Sequence, residues 1–276
     1  PLVKELENDP RFESIVVVTA QHREMLDQVL TVFEITPDYD LDIMTLGQTL
    51  TGITTKVLLD LEPILQKETP DIVLVHGDTT TAYAAATAAF YQQIPVGHVE
   101  AGLRTWNKKS PYPEEANRQL IDVLADFYFA PTSQSKKNLL AENRNEAAIY
   151  VTGNTAIDAM RYTISEEYQH PELSAADQTM ILLTMHRREN LGAPMQQVFR
   201  ALAQIAKEKP TIKLVFPMHK NPQVRGIAQE ILGELANVTL IEPLDVIDFH
   251  NVANQSTLIL TDSGGVQEEA PSLGVP

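Results

Sequence analysis

Short aliphatic runs that end abruptly in polar clusters constrain the fold of this chain more than any other feature. Ile72–Val75 runs into His76-Gly77-Asp78-Thr79, and Ile94–Gly97 into His98-Val99-Glu100-Ala101-Gly102-Leu103-Arg104. Met180–Met185 runs into His186-Arg187-Arg188-Glu189, and Leu258–Thr261 into Asp262-Ser263-Gly264-Gly265. Helical periodicity fills the stretches between, as in Thr51–Gln66, where Ile53, Val57, Leu58, Leu61 and Leu65 share one face. Strands alternating with helices imply right-handed crossovers and parallel sheets. In such sheets the residues just past the carboxyl ends of the strands line the ligand crevice.

The alternation occurs twice. Strands are expected at 15–19, 72–75, 94–99 and 148–151, with helices at 24–33, 51–66, 79–90, 114–127 and 155–168. A polar stretch from His170 to Gln178 interrupts the pattern, which then restarts with strands at 181–184, 213–216, 238–241 and 258–261. The expected organisation is therefore an N-terminal domain over 1–168 and a C-terminal domain over 178–276. The fold class is α/β: two Rossmann-like domains with parallel sheets facing a cleft. Leu2–Leu6 is helix-like with no strand before it, and Leu273–Pro276 stops where a strand entry is expected. The sequence thus reads as a piece of a longer protein.

Composition narrows the partners. Against 37 Asp plus Glu stand 21 Lys plus Arg, a formal charge of −16, which argues against nucleic acid, whose binding needs a basic footprint. No apolar run reaches the ~18 residues that span a bilayer, so no membrane partner is expected and the protein reads as cytoplasmic. The absence of cysteine removes disulfides, thiolate metal sites and thiol nucleophiles. The histidines lack the i, i+4 pairing of a helical zinc site, so no metal is expected. Neither a P-loop, nor a full G-x-G-x-x-G, nor a nucleophile elbow is present, and nothing suggests a nicotinamide cofactor.

Each cluster carries two readings. Asp78 is an N-cap or first-turn acid, or a functional carboxylate at a strand end beside a permissive glycine. Glu100 is an ion-pair partner for Arg104, or a partly desolvated acid suited to proton transfer, with Ala101 and Gly102 leaving room for a ligand. Glu114 and Glu115 open a helix after Pro113, where the helix dipole alone favours acids. Arg187 and Arg188 follow His186 directly after a strand, as a solvated basic turn or as a placement suited to gripping a phosphate, with Glu189 an alternative partner for Arg188. Arg104 is a further cationic candidate. Gly264 and Gly265 start a helix whose N–H groups can face a diphosphate, with Pro271 expected to end it within two turns. Glu269 lies one turn on from Gly265, within reach of a sugar hydroxyl.

Val-His-Gly-Asp-Thr-Thr-Thr (75–81), Pro-Val-Gly-His-Val-Glu-Ala-Gly-Leu-Arg-Thr (95–105), Pro-Glu-Glu-Ala-Asn-Arg (113–118), Val-Thr-Gly-Asn-Thr-Ala-Ile-Asp (151–158), His-Arg-Arg-Glu-Asn (186–190) and Thr-Asp-Ser-Gly-Gly-Val-Gln-Glu-Glu-Ala-Pro-Ser-Leu-Gly (261–274) form a specific set. It closely resembles the bacterial non-hydrolysing UDP-N-acetylglucosamine 2-epimerases over essentially the whole chain. The resemblance implies a glycosyltransferase B type fold, a homodimer, and interconversion of UDP-GlcNAc and UDP-ManNAc by elimination and re-addition of UDP through 2-acetamidoglucal. It implies no cofactor and a product used in cell-surface polysaccharide synthesis.

By motif, Asp78, Glu100 and Glu114 are the implied acid/base carboxylates, and His186 assists UDP departure. Ser263, Gly264 and Gly265 would hold the phosphates, Glu269 the ribose, and Phe249 would lie near the uracil, with Arg187 also contacting substrate. A second UDP-GlcNAc as activator is implied at Gln21, with Gln48, Glu114 and Arg187 as further candidates, although some members carry arginine where this chain has Gly47. The family's Gly-Thr-Arg-Pro-Glu-Ala-Ile-Lys loop and the Thr-Glu-Arg-Pro-Glu segment expected after Pro276 do not occur in the sequence. A hydrolysing epimerase and an inactive UDP-sugar-binding fragment are the alternative expectations.

Overall fold

The computed structural model describes residues 1–20, 23–45, 47–170, 179–187 and 190–276. They form two compact units, Pro1–Thr155 and Ala156–Pro276.

The first unit opens with α1 (Leu2–Asn8), β1 (Val17–Val18), α2 (Arg23–Val32) and β2 (Tyr39–Asp40), the two strands pairing in parallel as a small sheet of their own. The main sheet follows: α3 (Leu50–Glu68), β3 (Val73–His76), α4 (Thr80–Tyr91), β4 (Val96–Val99), α5 (Glu114–Leu124), β5 (Phe127–Ala130), α6 (Ser133–Ala141) and β6 (Ile149–Val151). The four strands lie in the order β3-β4-β5-β6, all parallel. On α3 the stripe Ile53, Val57, Leu61 and Leu65 is buried, as its i, i+4 spacing requires. The alanines of α4 let it pack close: Ala84, Ala86 and Ala89 are wholly buried. Thr79, whose side chain accepts from the Ala82 amide, caps that helix.

The expected helix over 114–127 is two elements. It ends at Leu124, with Ala125 extended, and Phe127–Ala130 is a strand. Asp126 forces the break by pairing with β4, its amide donating to the Val96 carbonyl at 2.8 Å and its side chain accepting from the Val96 amide at 2.9 Å. The sequence disguises this because Ile121, Ala125 and Tyr128 continue a helical spacing. Helix α6 also escapes the sequence pattern, since Ser135 and Leu139 are its only buried residues.

The second unit takes in α7 (Thr155–Thr163), apart from its first residue, then β7 (Thr179–Thr184), α8 (Ala193–Glu208), β8 (Ile212–Pro217), α9 (Pro222–Leu232), β9 (Val238–Ile241), α10 (Val246–Asn254), β10 (Leu258–Thr261) and α11 (Gly264–Ser272). Helix α7 stops at Thr163 rather than running to Tyr168, because Asn251 of α10 ties its end. The Asn251 amide donates to the Thr163 carbonyl at 2.7 Å, and the Ser165 amide donates to Asn251 Oδ1 at 2.8 Å. Pro271 does not end α11 early but sits in its last turn, where a missing N–H removes a single bond.

The sheet order is β10-β7-β8-β9, all parallel. Alternation along the strands separates two cores. Ile181, Leu183, Leu214 and Phe216 pack under α8 and α9, while Leu182, Val215 and Ile259 pack with Val252 of α10 and Val266 of α11. After β9 the chain returns to the far side of β7, so the connectivity reverses between β7 and β10. That is the topological switch point, where ligands of open α/β sheets bind.

Candidate active site

Three of the sequence-derived carboxylates gather at one end of the first unit's sheet. His76 pairs in register with Val99, so Gly77-Asp78 and Glu100 leave adjacent strands at the same level. Gly77 holds φ +71, and a Cβ built there would lie 3.2 Å from Glu100 Oε2. Glu100 itself holds φ +73, a left-handed torsion unusual for a side chain of its size. Glu114 is the first residue of α5, half-buried.

Helix α5 ties these turns down with polar side chains on its inner face. Arg118 ion-pairs with Asp78, and Asn117 Nδ2 donates to the Asp78 carbonyl at 2.9 Å. The N-cap reading of Asp78 gives way, because Thr79 fills that role. Glu115 is wholly buried and accepts from the amides of Thr105 and Trp106, each at 3.0 Å, and from Gln119 at 2.7 Å. Burial alone would push its carboxyl up, but those hydrogen bonds and Arg118 outweigh it and leave it below the ordinary glutamate value.

Two expectations for the following loop are corrected. Arg104 is no anion ligand: its buried guanidinium is engaged by Asp122 at 2.7 Å, by Glu142 at 2.7 and 2.8 Å and by the Leu103 carbonyl at 2.7 Å. Ala101 and Gly102 leave no space for a ligand: Ala101 is buried, and a Cβ at Gly102 would come within 2.4 Å of the Ser135 carbonyl oxygen on α6. Their smallness admits a neighbouring helix.

At the switch point of the second unit, Thr184 of β7 pairs with Thr261 of β10. Just beyond, Asp262 accepts from the His186 amide at 3.1 and 3.2 Å, the Arg187 amide at 3.0 Å and Asn190 Nδ2 at 2.8 Å. It thereby folds the His186 turn over β10. Helix α11 starts at Gly264 with no side-chain cap from Ser263, leaving first-turn N–H groups facing outward. Gly265 has open space where a Cβ would be, and the one at Gly264 would meet Arg187 Nη2 at 3.3 Å. Arg187 therefore lies beside the positive end of the α11 dipole, the end at which anions bind.

Glu269, one turn along α11, is half-buried, and its carboxyl is pushed up by burial and by Glu268. His250 Nε2 lies 4.0 Å from it. Phe249, beside His250 on α10, packs against the core under α11. The exposed ring of His219, after β8, stacks on His186 with centroids 5.7 Å apart. His219 was missed because its strand ends in Pro217-Met218, which hides the polar cluster.

Gln48 is half-buried and turned toward its own loop, its Oε1 accepting from the Thr45 amide at 3.2 Å. Gln21, Arg188 and Glu189 lie outside the described residues. Among the described residues no three His, Cys, Asp or Glu gather as a metal site, and no helix is long and apolar enough to cross a membrane.

Asp262 gives the loop an acid-sensitive anchor. Burial would push its carboxyl up, but the bonds from Asn190, Arg187 and His186 win, holding it below the usual aspartate value. A folded-state pKa below the unfolded value of about 3.9 means that the stabilisation is complete above that pH. It disappears as pH falls through the lower folded value. The urea midpoint of wild type is thus expected to exceed that of Asp262→Asn at neutral pH, with the gap closing below about pH 4. A gap independent of pH would assign the effect to packing.

A profile of the family described as UDP-N-acetylglucosamine 2-epimerase matches residues 4–276. The Bacillus subtilis (strain 168) UDP-N-acetylglucosamine 2-epimerase is 58% identical over 277 residues, which cover 100% of this chain and 73% of that protein. The UDP co-structure of S. aureus MnaA superposes with a TM-score of 0.88 at 56% identity, covering 100% of this chain and 73% of that one. The Neisseria meningitidis UDP-GlcNAc 2-epimerase crystallised with UDP-GlcNAc gives a TM-score of 0.89 at 49% identity, covering 100% and 77%. The two parallel-sheet units are accordingly of the glycosyltransferase B type, and the chain belongs to the UDP-N-acetylglucosamine 2-epimerase family of isomerases.

Proposed function

We propose that this protein interconverts UDP-GlcNAc and UDP-ManNAc by eliminating UDP and adding it back. A carboxylate takes the C2 proton while the C1–O bond breaks, its electron pair leaving on the β-phosphate oxygen, to give 2-acetamidoglucal and UDP. Re-addition of UDP at C1, with protonation of C2 from the opposite face, inverts that carbon and balances the reaction. The C2 hydrogen is weakly acidic, so a positioned base and a stabilised leaving diphosphate must act together.

Asp78, Glu100 and Glu114 supply the proton-transfer groups. Ser263, Gly264, Gly265 and Arg187 receive the diphosphate, His186 assists its departure, Glu269 accepts from the ribose hydroxyls, and Phe249 lies near the uracil. The start of α11 at the sheet's switch point, with no side-chain cap from Ser263 and open space beside Gly265, carries this reading, because such a helix end binds anions. A second UDP-GlcNAc acting as activator through Gln21, Gln48, Glu114 and Arg187, a homodimer, a cytoplasmic location and supply of ManNAc to a cell-surface polysaccharide complete the proposal.

Incubation with UDP-GlcNAc in deuterated water tests it. Both UDP-sugars should accumulate with deuterium at C2. Free ManNAc in place of UDP-ManNAc would convert the assignment to a hydrolysing epimerase. UDP binding with no exchange would leave a binding module.

A further inference from the structure

Beneath the acid-bearing turns of the first unit lies a chain of charged groups, three of them shut off from solvent. His98, Asp122 and Arg104 have fully buried side chains, and Glu142 closes the chain at its outer end. His98 Nδ1 lies 2.6 Å from Asp122 Oδ1, and its Nε2 lies 2.8 Å from the Gly77 carbonyl oxygen. The other Asp122 oxygen accepts from the Gly102 amide at 3.1 Å and from Arg104 Nη2 at 2.7 Å.

We propose that His98 and Asp122 are positioning residues for the epimerisation, fixing the turns that carry Asp78 and Glu100 from a buried relay in which both His98 ring nitrogens donate. The inference rests on the proton-transfer roles proposed above for those two carboxylates.

The hydrogen-bonding inventory leads there. A backbone carbonyl can only accept, and so can an ionised carboxylate, so a ring placed between Gly77 O and Asp122 Oδ1 needs a proton on each nitrogen. Burial would push the Asp122 carboxyl up, but His98 and Arg104 outweigh it and keep it below the usual aspartate value, as an acceptor must be. Within this chain the His98 and Arg104 cations then face the Asp122 and Glu142 anions, two against two.

The relay grips both turns at the backbone. Gly77 is held at its carbonyl by His98 and at its amide by the Val99 carbonyl at 3.0 Å, immediately before Asp78. Gly102 is held at its amide by Asp122 and at its carbonyl by Asn138 Nδ2 at 2.9 Å, two residues after Glu100. Asp122 shares the inner face of α5 with Glu115 and Arg118 at helical spacings of three and four, so one helix braces every carboxylate-bearing turn.

Two amide variants separate the ends of the ring. In His98→Gln the longer amide can still donate to Gly77, whereas in His98→Asn the shorter one can reach only Asp122. If positioning runs through Gly77, His98→Asn should lose about a hundredfold in kcat for C2 exchange, the cost of a misplacement near 1 Å, with UDP affinity unchanged. His98→Gln should retain most of the rate at a similar melting temperature. Equal losses in the two variants, or losses that track melting temperature, would overturn the positioning role.

The protonation state is read on the wild-type protein, so it survives any folding failure of the variants. ¹⁵N NMR of histidine-labelled enzyme at neutral pH should show a proton on both His98 ring nitrogens, and a single-tautomer neutral ring would refute the relay. Absence of exchange in wild type would instead remove the proposed reaction and leave the NMR result standing.

Discussion

Gly102→Ala is expected to be the most destabilising single-methyl change in the first unit. Its Cβ would sit 2.4 Å from the Ser135 carbonyl oxygen and 2.9 Å from Leu139 Cγ, at a backbone φ of +84. The oxygen belongs to the backbone of α6 and cannot swing aside as a side-chain tip could. Left-handed torsion costs a non-glycine residue about 1–2 kcal/mol, and overpacking adds about 1–3 kcal/mol. A total of about 2–5 kcal/mol is a large share of the ~5–15 kcal/mol that holds a typical domain folded. Urea denaturation would measure it, with Gly265→Ala as the contrast, since that position has open space around it. A loss below about 1 kcal/mol for Gly102→Ala would mean that α6 moves away freely.

The largest effect on chemistry is expected from Glu100→Gln. The amide keeps size and torsion but cannot take a proton, and removing a general base typically costs about 10²–10⁴-fold in rate. C2 deuterium exchange should fall by that factor. UDP affinity should stay within about tenfold, or 1.4 kcal/mol, because the groups proposed to hold UDP belong to the other unit. Exchange at the wild-type rate would remove Glu100 from the mechanism.

Much of the candidate site's placement was legible because strand-end geometry is local. Asp78, Glu100, His186 and Ser263 follow apolar runs directly, and register then fixes their level: Val99 opposite His76, Thr261 opposite Thr184. What the sequence concealed depends on pairings made across long separations. Arg104 looked like a free cation because its partners, Asp122 and Glu142, lie 18 and 38 residues away. Asp122 belongs to no strand-end cluster, yet it falls on the face of α5 that also carries Glu115 and Ile121, all wholly buried. An acid inside an apolar stripe was the available signal. Strand β5 was hidden for a related reason, its Phe-Tyr-Phe continuing the helical spacing that precedes it while Asp126 made the break.

The torsion at Glu100 has a consequence for sequence variation. Position 100 must satisfy a backbone that glycine suits best, with asparagine or aspartate next, and, in the role proposed for it, a reaction that demands an acid. A randomised library at this codon should split by selection. Screens for thermal tolerance would enrich glycine and asparagine, screens for turnover would return glutamate with aspartate behind it, and valine, isoleucine and threonine would vanish from both.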